Sequence, residues 1–240
     1  MKYAGIDGCK YGWCLVLSEH GTLRFGGLYR TITELLEAHS DLDRVLIDMP
    51  MGLSSKNRLR TIETAMRKEL SKRASTVFGV PCRESLKASS YVEASTVNQQ
   101  IVGKKLSKQT YYISPKIREI DVFLAQNPIY KNILIESHPE ICFKYLNHQI
   151  VWSKKSTPEG IEERLQILEQ YDATIRTLFD EMVKNSKRKN LKRDDIVDAI
   201  CLCLVNQLAG EQEIRFIEDE IEKDEKEIKI RIGFYEGKKK

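Results

Sequence analysis

Three predicted strands of the sequence end in an acidic residue. The acids are Asp7, Asp48 and Glu136, and each follows an apolar run typical of a buried strand. Because a charge is costly inside an apolar core, we expect these carboxylates to lie at an edge of the sheet. Ligands bind outside the carboxyl ends of strands in sheets rich in parallel strands, so the three acids would converge on one crevice.

Two further acids lie on a predicted helix over residues 194–209. Asp195 and Asp198 are three residues apart, which places both carboxylates on one face of the helix. Both fall in its first two turns, where the helix dipole favours negative charge. We therefore predict one catalytic site that combines five acids, namely Asp7, Asp48, Glu136, Asp195 and Asp198.

Carboxylates brought this close together repel one another at neutral pH, and a divalent cation is the common physical solution. Oxygen ligands without His or Cys favour Mg²⁺ or Mn²⁺ over zinc. Two such ions about 4 Å apart can activate water and stabilise the leaving oxygen in phosphodiester cleavage. Glu136 would be a further metal ligand, or an acid next to the ligands that does not bind the ion itself. The predicted metal ligands are Asp7, Asp48, Asp195 and Asp198.

Each acid also has a structural explanation when it is considered alone. Asp7 precedes Gly8 and suits a turn, and Asp48 precedes a loop that begins with Met49-Pro50. Glu136 would pair with a buried arginine, and Asp195 would serve as a helix N-cap. The coincidence of all of them favours the shared site.

The elements that must position these acids follow from the hydrophobic pattern. It predicts strands over residues 2–7, 13–18, 22–29, 45–48 and 131–136, a short helix around residues 32–36, a long helix over about 158–184, and a last strand over 228–234. Gly210 ends the helix over 194–209. This order predicts a single α/β domain over residues 1–240, with a charged C-terminal extension over 211–240 that contains the last strand.

Residues 51–132 have a different character. They contain 15 Lys and Arg against six Asp and Glu, a net charge of +9 in a chain whose total is +4. Since the segment lies between two predicted strands, we interpret it as a basic helical insertion. Basic residues interleaved with aromatic ones suit a phosphate backbone with stacked bases, although most charge runs are solvated surface. The predicted substrate-binding residues are Lys10, Arg73, Arg83, Lys108, Lys116 and Arg118.

The composition narrows the class of protein. With 41% hydrophobic and 31% charged residues, the chain is expected to fold into a globular protein. Its longest apolar run, residues 199–205, is shorter than the ~20 residues that a membrane helix needs. Asp7 and Lys10 lie where a signal peptide would need an apolar segment. The six cysteines are scattered without a CxxC pair, which favours reduced thiols over a disulfide framework or a zinc site. We expect a cytoplasmic protein without membrane contact.

The order of several motifs resembles the DUF429 family, whose members are predicted nucleases with a ribonuclease H-like fold. The motifs are YAGIDGCKYGW at 3–13, IDMPMGL at 47–53, RTIETAMR at 60–67, RASTVFGVP at 73–81, LSKQ at 106–109, PKIREID at 115–121, ESHPE at 136–140, SKK at 153–155 and DIVDA at 195–199. Thr61 and Glu63 depart from the family pattern, which has Cys and Asp there. The resemblance covers residues 1 to about 210 and implies a mixed five-stranded central sheet flanked by helices.

The wider fold class is similar to the RuvC-type Holliday junction resolvases. These pair an acid on the first strand with one on the fourth, and carry two acids at D-x-x-D spacing on a late helix. Asp7, Asp48, Asp195 and Asp198 match those positions. The resemblance implies a nuclease that uses Mg²⁺ or Mn²⁺.

Three functions stay open at the level of sequence. The leading hypothesis is a metal-dependent nuclease acting on nucleic acid, with DNA and RNA both open. A second is a non-catalytic module on the same fold that binds nucleic acid or a partner protein. The third is an ATP-using relative of the actin and sugar-kinase fold, which is disfavoured because Cys9-Lys10 follow Asp7-Gly8 where a Ser/Thr pair is usual. The oligomeric state is open, and a homodimer is compatible with the sequence.

Overall fold

A mixed five-stranded sheet forms the core of the fold. The computed structural model describes residues 1–210 and 214–237. The strands are β1 (Lys2–Gly8), β2 (Trp13–Glu19), β3 (Thr22–Tyr29), β4 (Arg44–Ile47) and β5 (Leu134–Glu136), in the spatial order β3-β2-β1-β4-β5. Pairing is antiparallel from β1 to β2 and from β2 to β3, and parallel from β1 to β4 and from β4 to β5. The predicted mixed five-stranded α/β sheet is confirmed.

Eight α-helices and a second, two-stranded sheet complete the described residues. The helices are α1 (Ile32–Ala38), α2 (Ile62–Leu70), α3 (Tyr91–Val102), α4 (Lys108–Gln126), α5 (Pro139–Asn147), α6 (Pro158–Glu169), α7 (Ile175–Asn185) and α8 (Arg193–Ala209), and the added strands are β6 (Arg215–Lys223) and β7 (Lys229–Phe234). The structure confirms α8 and β7 where the sequence predicted them. Residues 211–213 and 238–240 of the predicted extension lie outside the described residues.

The chain divides into two compact units. We call the first the sheet unit; it consists of residues 1–48, 132–216 and 233–240, as far as they are described. The second, the insertion unit, consists of Met49–Lys131 and Ile217–Ile232. The insertion that the sequence indicated at 51–132 thus forms a unit together with most of the β6–β7 hairpin.

Helix α8 lies against β1, β2 and β4 in the sheet unit. A polar group supports this packing, because the Asn206 side-chain amide donates to the carbonyls of Ala4 and Arg44, each at 2.9 Å. The Arg44 guanidinium returns a hydrogen bond from Nε to Asn206 Oδ1 at 2.6 Å. Buried polar groups need such partners, so this network holds α8 in one position on the sheet.

The predicted single helix over about 158–184 is wrong. The structure has α6 and α7 instead, with a break around Asp172 and Thr174. The Asp172 carboxylate accepts hydrogen bonds from the backbone N–H and the hydroxyl of Thr174, at 2.8 and 2.7 Å, and this local turn competes with helix. The apolar stripe did not reveal the break because Leu168 and Ile175 are seven residues apart and stay in phase across it.

Two acidic residues, one in β6 and one in the turn that follows it, accept hydrogen bonds from backbone N–H groups of the insertion unit. Asp224, fully buried, accepts hydrogen bonds from the backbone N–H of Leu53 and Ile228, each at 3.0 Å. Asp219 accepts from the N–H of Thr61 and Ile62 at the start of α2, at 2.6 and 2.5 Å. The sequence analysis placed no strand at β6, because its residues alternate only weakly between polar and apolar.

None of the helices in the described part of the chain is long and apolar enough to cross a membrane.

Candidate active site

The register of the sheet places Asp7 and Asp48 side by side. In the parallel pair of β1 and β4, Ile6 lies opposite Ile47, and the Asp48 N–H donates to the Ile6 carbonyl at 3.0 Å. The next residue of each chain segment is an aspartate, so both side chains point to the same face of the sheet at its carboxyl edge. The two carboxyl groups are close enough that the charge of Asp48 raises the pKa of Asp7. Two acids placed this close together disfavour each other's ionisation.

Helix α8 carries the other two aspartates to the same place. Asp198 is 1% exposed and Asp7 is 6% exposed, so two of the four carboxylates lie beneath the surface. Asp195 is half-buried, and its Oδ2 accepts a hydrogen bond from the Lys192 N–H at 3.0 Å, which caps the helix. The charges of Asp48, Asp198 and Asp195 all act on Asp7, so the four aspartates converge in the sheet unit as predicted, and we call them the carboxylate cluster.

Burial and neighbouring charges make three acids of the cluster, Asp7, Asp48 and Asp195, hard to ionise. Burial, followed by the charges of Asp48, Asp198 and Asp195, raises the pKa of Asp7 well above its ordinary value. Burial is also the main cause that raises the pKa of Asp48 to about 7 and that of Asp195 to about 6. The protein without a cation thus holds protons at a site that would prefer to bind positive charge.

One positive charge is already present at the cluster. Lys155 Nζ lies 2.5 Å from Asp198 Oδ2, and the charges of Asp198, Asp48 and Asp7 raise the pKa of this ammonium group, while burial lowers it. Its side chain is 41% exposed, so the ammonium group reaches the cluster from the solvent side. No pattern in the sequence pointed to Lys155 as a partner of the acids. Lys154-Lys155 shows no spacing that would connect it with a helix 40 residues further along the chain.

Glu136 does not join the cluster. In the parallel pair of β4 and β5, Glu136 lies opposite Ile47, one residue before Asp48. Because side chains alternate along a strand, the Glu136 carboxylate belongs to the sheet face opposite that of Asp7 and Asp48. The prediction that Glu136 belongs to the site assumed that the acids of all three strands lie opposite one another. In the structure, Glu136 is one residue out of register with Asp48.

Glu140, near the start of α5, is the additional acid that acts on Asp48, although the Arg164 guanidinium holds it in place. Arg164 Nη2 donates to both carboxylate oxygens, at 2.8 and 2.9 Å, and Arg164 is 1% exposed. This buried pair fixes α5 against α6 behind the cluster. Its commitment to Arg164 makes Glu140 a structural neighbour of the cluster and not a further ligand.

The chemistry of the cluster fits Mg²⁺ or Mn²⁺, since all of its donors are carboxylate oxygens. The described residues contain no group of three or more His, Cys, Asp or Glu side chains that already surround one point at ligand distance. Lys155 Nζ is hydrogen-bonded to Asp198 Oδ2. Ion binding at the cluster would therefore require rearrangement of these side chains and the release of the protons that the raised pKa values retain.

The predicted substrate-binding residues have different environments. In the insertion unit, Arg83 pairs with Asp121, Nη2 to Oδ1 at 2.9 Å, and with Asp224. Its guanidinium is therefore committed to carboxylates. Arg73 lies in the 3₁₀ helix Ser71–Thr76 of the same unit. Lys10 is exposed in the turn after β1 of the sheet unit. Helix α4 carries the remaining three residues, with Lys108 and Arg118 exposed and Lys116 half-buried.

The chain was compared with known protein families, curated proteins and solved structures. The family model described as protein of unknown function (DUF429) matches residues 5–223. The chain belongs to the DUF429 family. The DUF429 match includes the four aspartates of the cluster and Lys155, and it confirms the resemblance drawn from the sequence motifs. No curated protein and no solved structure matched this DUF429 chain.

Proposed function

We propose that this DUF429 protein is a metal-dependent nuclease with a ribonuclease H-like sheet unit. The observation that carries the proposal is the carboxylate cluster, which joins the ends of β1 and β4 to the start of α8. Burial and neighbouring charges raise the pKa values of three of its acids, Asp7, Asp48 and Asp195. Acids that are hard to ionise in the folded state destabilise the fold unless they serve a ligand. The antiparallel β1–β2–β3 ladder, followed by parallel β4 and β5, supports the fold assignment.

Asp7, Asp48, Asp195 and Asp198 would hold Mg²⁺ or Mn²⁺. When bound there, the ion would supply an activated water and stabilise the leaving oxygen of a phosphodiester. Asp7 and Asp198, the most buried acids, fix the base of the site because their side chains have little freedom to move. Asp48 is less buried and has a pKa of about 7, so its carboxyl group can give up or accept a proton near neutral pH.

Lys155 has two roles in this proposal. Bonded to Asp198, its ammonium group offsets part of the cluster charge in the protein without substrate. Because the Lys155 side chain is long and partly exposed along its length, its ammonium group can turn from Asp198 to a phosphate oxygen that enters the site. Cation binding and substrate binding would then be linked through one side chain.

The proposal is tested with Asp7→Asn, which keeps the side-chain shape and removes one carboxylate. We expect Mn²⁺-dependent cleavage of fluorophore-labelled single-stranded DNA and RNA to fall by about 100-fold or more, with an unchanged circular dichroism spectrum. Asp180→Asn, an exposed acid on α7, is the control for the loss of one negative charge and should cleave normally. Cleavage by Asp7→Asn at the wild-type rate would refute the nuclease assignment.

A second candidate function is a nucleic-acid-binding module without catalysis. The contact between Lys155 and Asp198 favours it, because an internal cation can make an acidic cluster tolerable without any metal. Isothermal titration with Mn²⁺ separates the two candidates. Saturable Mn²⁺ binding that Asp7→Asn abolishes supports the nuclease, and nucleic-acid binding without Mn²⁺ binding supports the module.

A further inference from the structure

The insertion unit contains a half-open cavity of about 310 Å³ between a short 3₁₀ helix and helix α4. Ser85, Leu86 and Ala88 line one side of the cavity. The other side consists of residues from α4, namely Tyr111, Tyr112, Ser114, Pro115 and Arg118. The volume lies at the lower end of the range for small-molecule sites, about 300–1,000 Å³, and suits one nucleotide-sized group.

Two tyrosines give this cavity an aromatic wall. Tyr111 is held from behind by Tyr91, whose ring lies edge-on at a centroid distance of 5.5 Å and whose hydroxyl donates to the Leu106 carbonyl at 2.9 Å. Tyr112 is 76% exposed, and its ring centroid is 6.2 Å from that of Tyr111. The two rings are tilted by 56° to each other, so the exposed Tyr112 ring offers one aromatic face on which a planar base can stack.

Arg118 supplies the charge at the cavity. It is exposed, and among the residues that the structure describes it makes no ion pair. Arg83, by contrast, is held by Asp121 and Asp224. An exposed guanidinium with all of its donors available suits a phosphate, which it can bind with two parallel hydrogen bonds.

Pro115 adds apolar surface to the same wall. It stands inside α4, and its ring has no N–H to donate to the preceding turn of the helix. The ring lies next to Tyr112 along the wall, so the two offer apolar contact to a base that enters the cavity.

We propose that this cavity binds one unpaired nucleotide of a single-stranded nucleic acid, with the base against Tyr112 and Pro115 and the adjoining phosphate on Arg118. A base in a duplex is stacked and paired, and it can enter the cavity only at the cost of both interactions. The choice of ligand rests on the proposed nuclease function and on the net charge of +9 over residues 51–132. The inference narrows the substrate class to single strands or to duplexes with unpaired bases.

Equilibrium binding without divalent ions tests the inference. Fluorescence anisotropy is measured in EDTA with a labelled single strand of about 12 nucleotides, as DNA and as RNA, and with a blunt duplex of the same sequence. We expect both single strands to bind at least about tenfold more tightly than the duplex, since the duplex must unpair a base to fill the cavity. The DNA and RNA arms show which sugar the site accepts. Equal affinity for single strand and duplex would overturn the inference.

Variants locate the binding in the cavity. Tyr112→Ala should weaken single-strand binding by about fivefold to 100-fold through loss of stacking, and Tyr112→Phe should retain it. Arg118→Gln should also weaken binding, whereas Lys68→Gln, which removes an exposed charge from α2, should have a much smaller effect. Since Tyr112, Arg118 and Lys68 are exposed, thermal unfolding of these variants should match that of the wild type. Wild-type affinity in both Tyr112→Ala and Arg118→Gln would overturn the inference.

The outcome is distinguishable from that of the nuclease proposal. Cleavage of the same oligonucleotides in Mn²⁺ tests the carboxylate cluster, which lies in the sheet unit, and anisotropy in EDTA tests the cavity alone. Tight single-strand binding that depends on Tyr112, without cleavage, would support the cavity and refute the nuclease. Cleavage with equal affinity for duplex and single strand would support the nuclease and refute the cavity.

Discussion

At the scale of single residues, Asp7 and Asp48 determine the electrostatics of the site. Each is a carboxyl group at the end of a strand, and burial raises the pKa of each above its ordinary value. In the folded protein their pKa values are raised, so the folded state binds protons that the unfolded chain releases. The sign of the resulting pH dependence follows directly. Stability is highest below the unfolded pKa and falls as the pH rises through the folded one.

We therefore expect the metal-free protein to lose stability between about pH 4 and pH 7, the interval between the unfolded pKa of Asp48 and its folded value of about 7. Asp48→Asn should reduce this pH dependence, because the amide does not titrate. It should also stabilise the metal-free fold by about 2 kcal/mol at pH 8, since one pKa unit corresponds to about 1.4 kcal/mol. Urea denaturation in EDTA over this pH range measures both effects. Asp180→Asn is the control, and a pH profile that Asp48→Asn leaves unchanged would contradict the explanation.

At the scale of elements, the close approach of α8 to β1 determines where the carboxylates meet. A Cβ on Gly5 would lie 2.2 Å from the Cys203 nitrogen and 2.4 Å from the Ala199 carbonyl oxygen. Only glycine allows backbone to approach backbone at this distance. Gly5 is two residues before Asp7, and the two α8 residues that it faces follow Asp198 closely. The contact thus sets the spacing between the strand acid and the helix acids.

Gly5→Ala should lower the free energy of unfolding by about 3 kcal/mol, because the added methyl group can be accommodated only if α8 moves away from the sheet. We expect the same variant to weaken Mn²⁺ binding, since Asp198 would move away from Asp7. Urea denaturation and isothermal titration measure the two effects. Gly79→Ala is the matched control, because a Cβ there meets nothing within 4 Å, and its stability should remain within about 0.5 kcal/mol of the wild type. Gly5→Ala with wild-type stability would contradict the proposed role of this contact.

At the scale of the whole molecule, the charge is unevenly distributed. The net charge of +4 combines +9 over residues 51–132 with an acidic remainder of −5. Within the insertion unit, Asp219 and Asp224 take part in hydrogen bonds that organise the fold, while Lys108 and Arg118 of α4 remain exposed. The basic segment therefore keeps cations that are available for a polyanion.

Binding of single-stranded oligonucleotides should weaken as salt increases, with a slope in a log–log plot of about −0.7 for each phosphate neutralised. Lys108→Gln should reduce the steepness of this slope by about 0.7, because Lys108 is exposed and, among the described residues, makes no ion pair. Anisotropy titrations at several salt concentrations measure the slope, and Lys68→Gln serves as the control of equal charge. An unchanged slope in Lys108→Gln would exclude Lys108 from the binding surface.

The sequence alone determined the elements whose signals are local. Apolar runs and alternation identified the five strands of the central sheet, the D-x-x-D spacing identified the acidic face of α8, and strand-end position brought Asp7 and Asp48 together correctly. The strands and the acidic helix face depend on residues only a few positions apart, and local periodicity is enough to find them. The meeting of Asp7 and Asp48 followed from a general rule, that the carboxyl ends of parallel strands lie at one edge of a sheet.

Only the tertiary structure decided the contacts that depend on distant pairing. In the pairing of β4 with β5, Glu136 lies opposite Ile47 and not opposite Asp48. Because side chains alternate along a strand, this offset of one residue places Glu136 on the other face of the sheet. Lys155 reaches Asp198 across 43 residues, and Arg83 reaches Asp224 across 141. No local pattern encodes such partners, because register and ion pairing depend on how remote segments pack, and packing is a property of the whole fold.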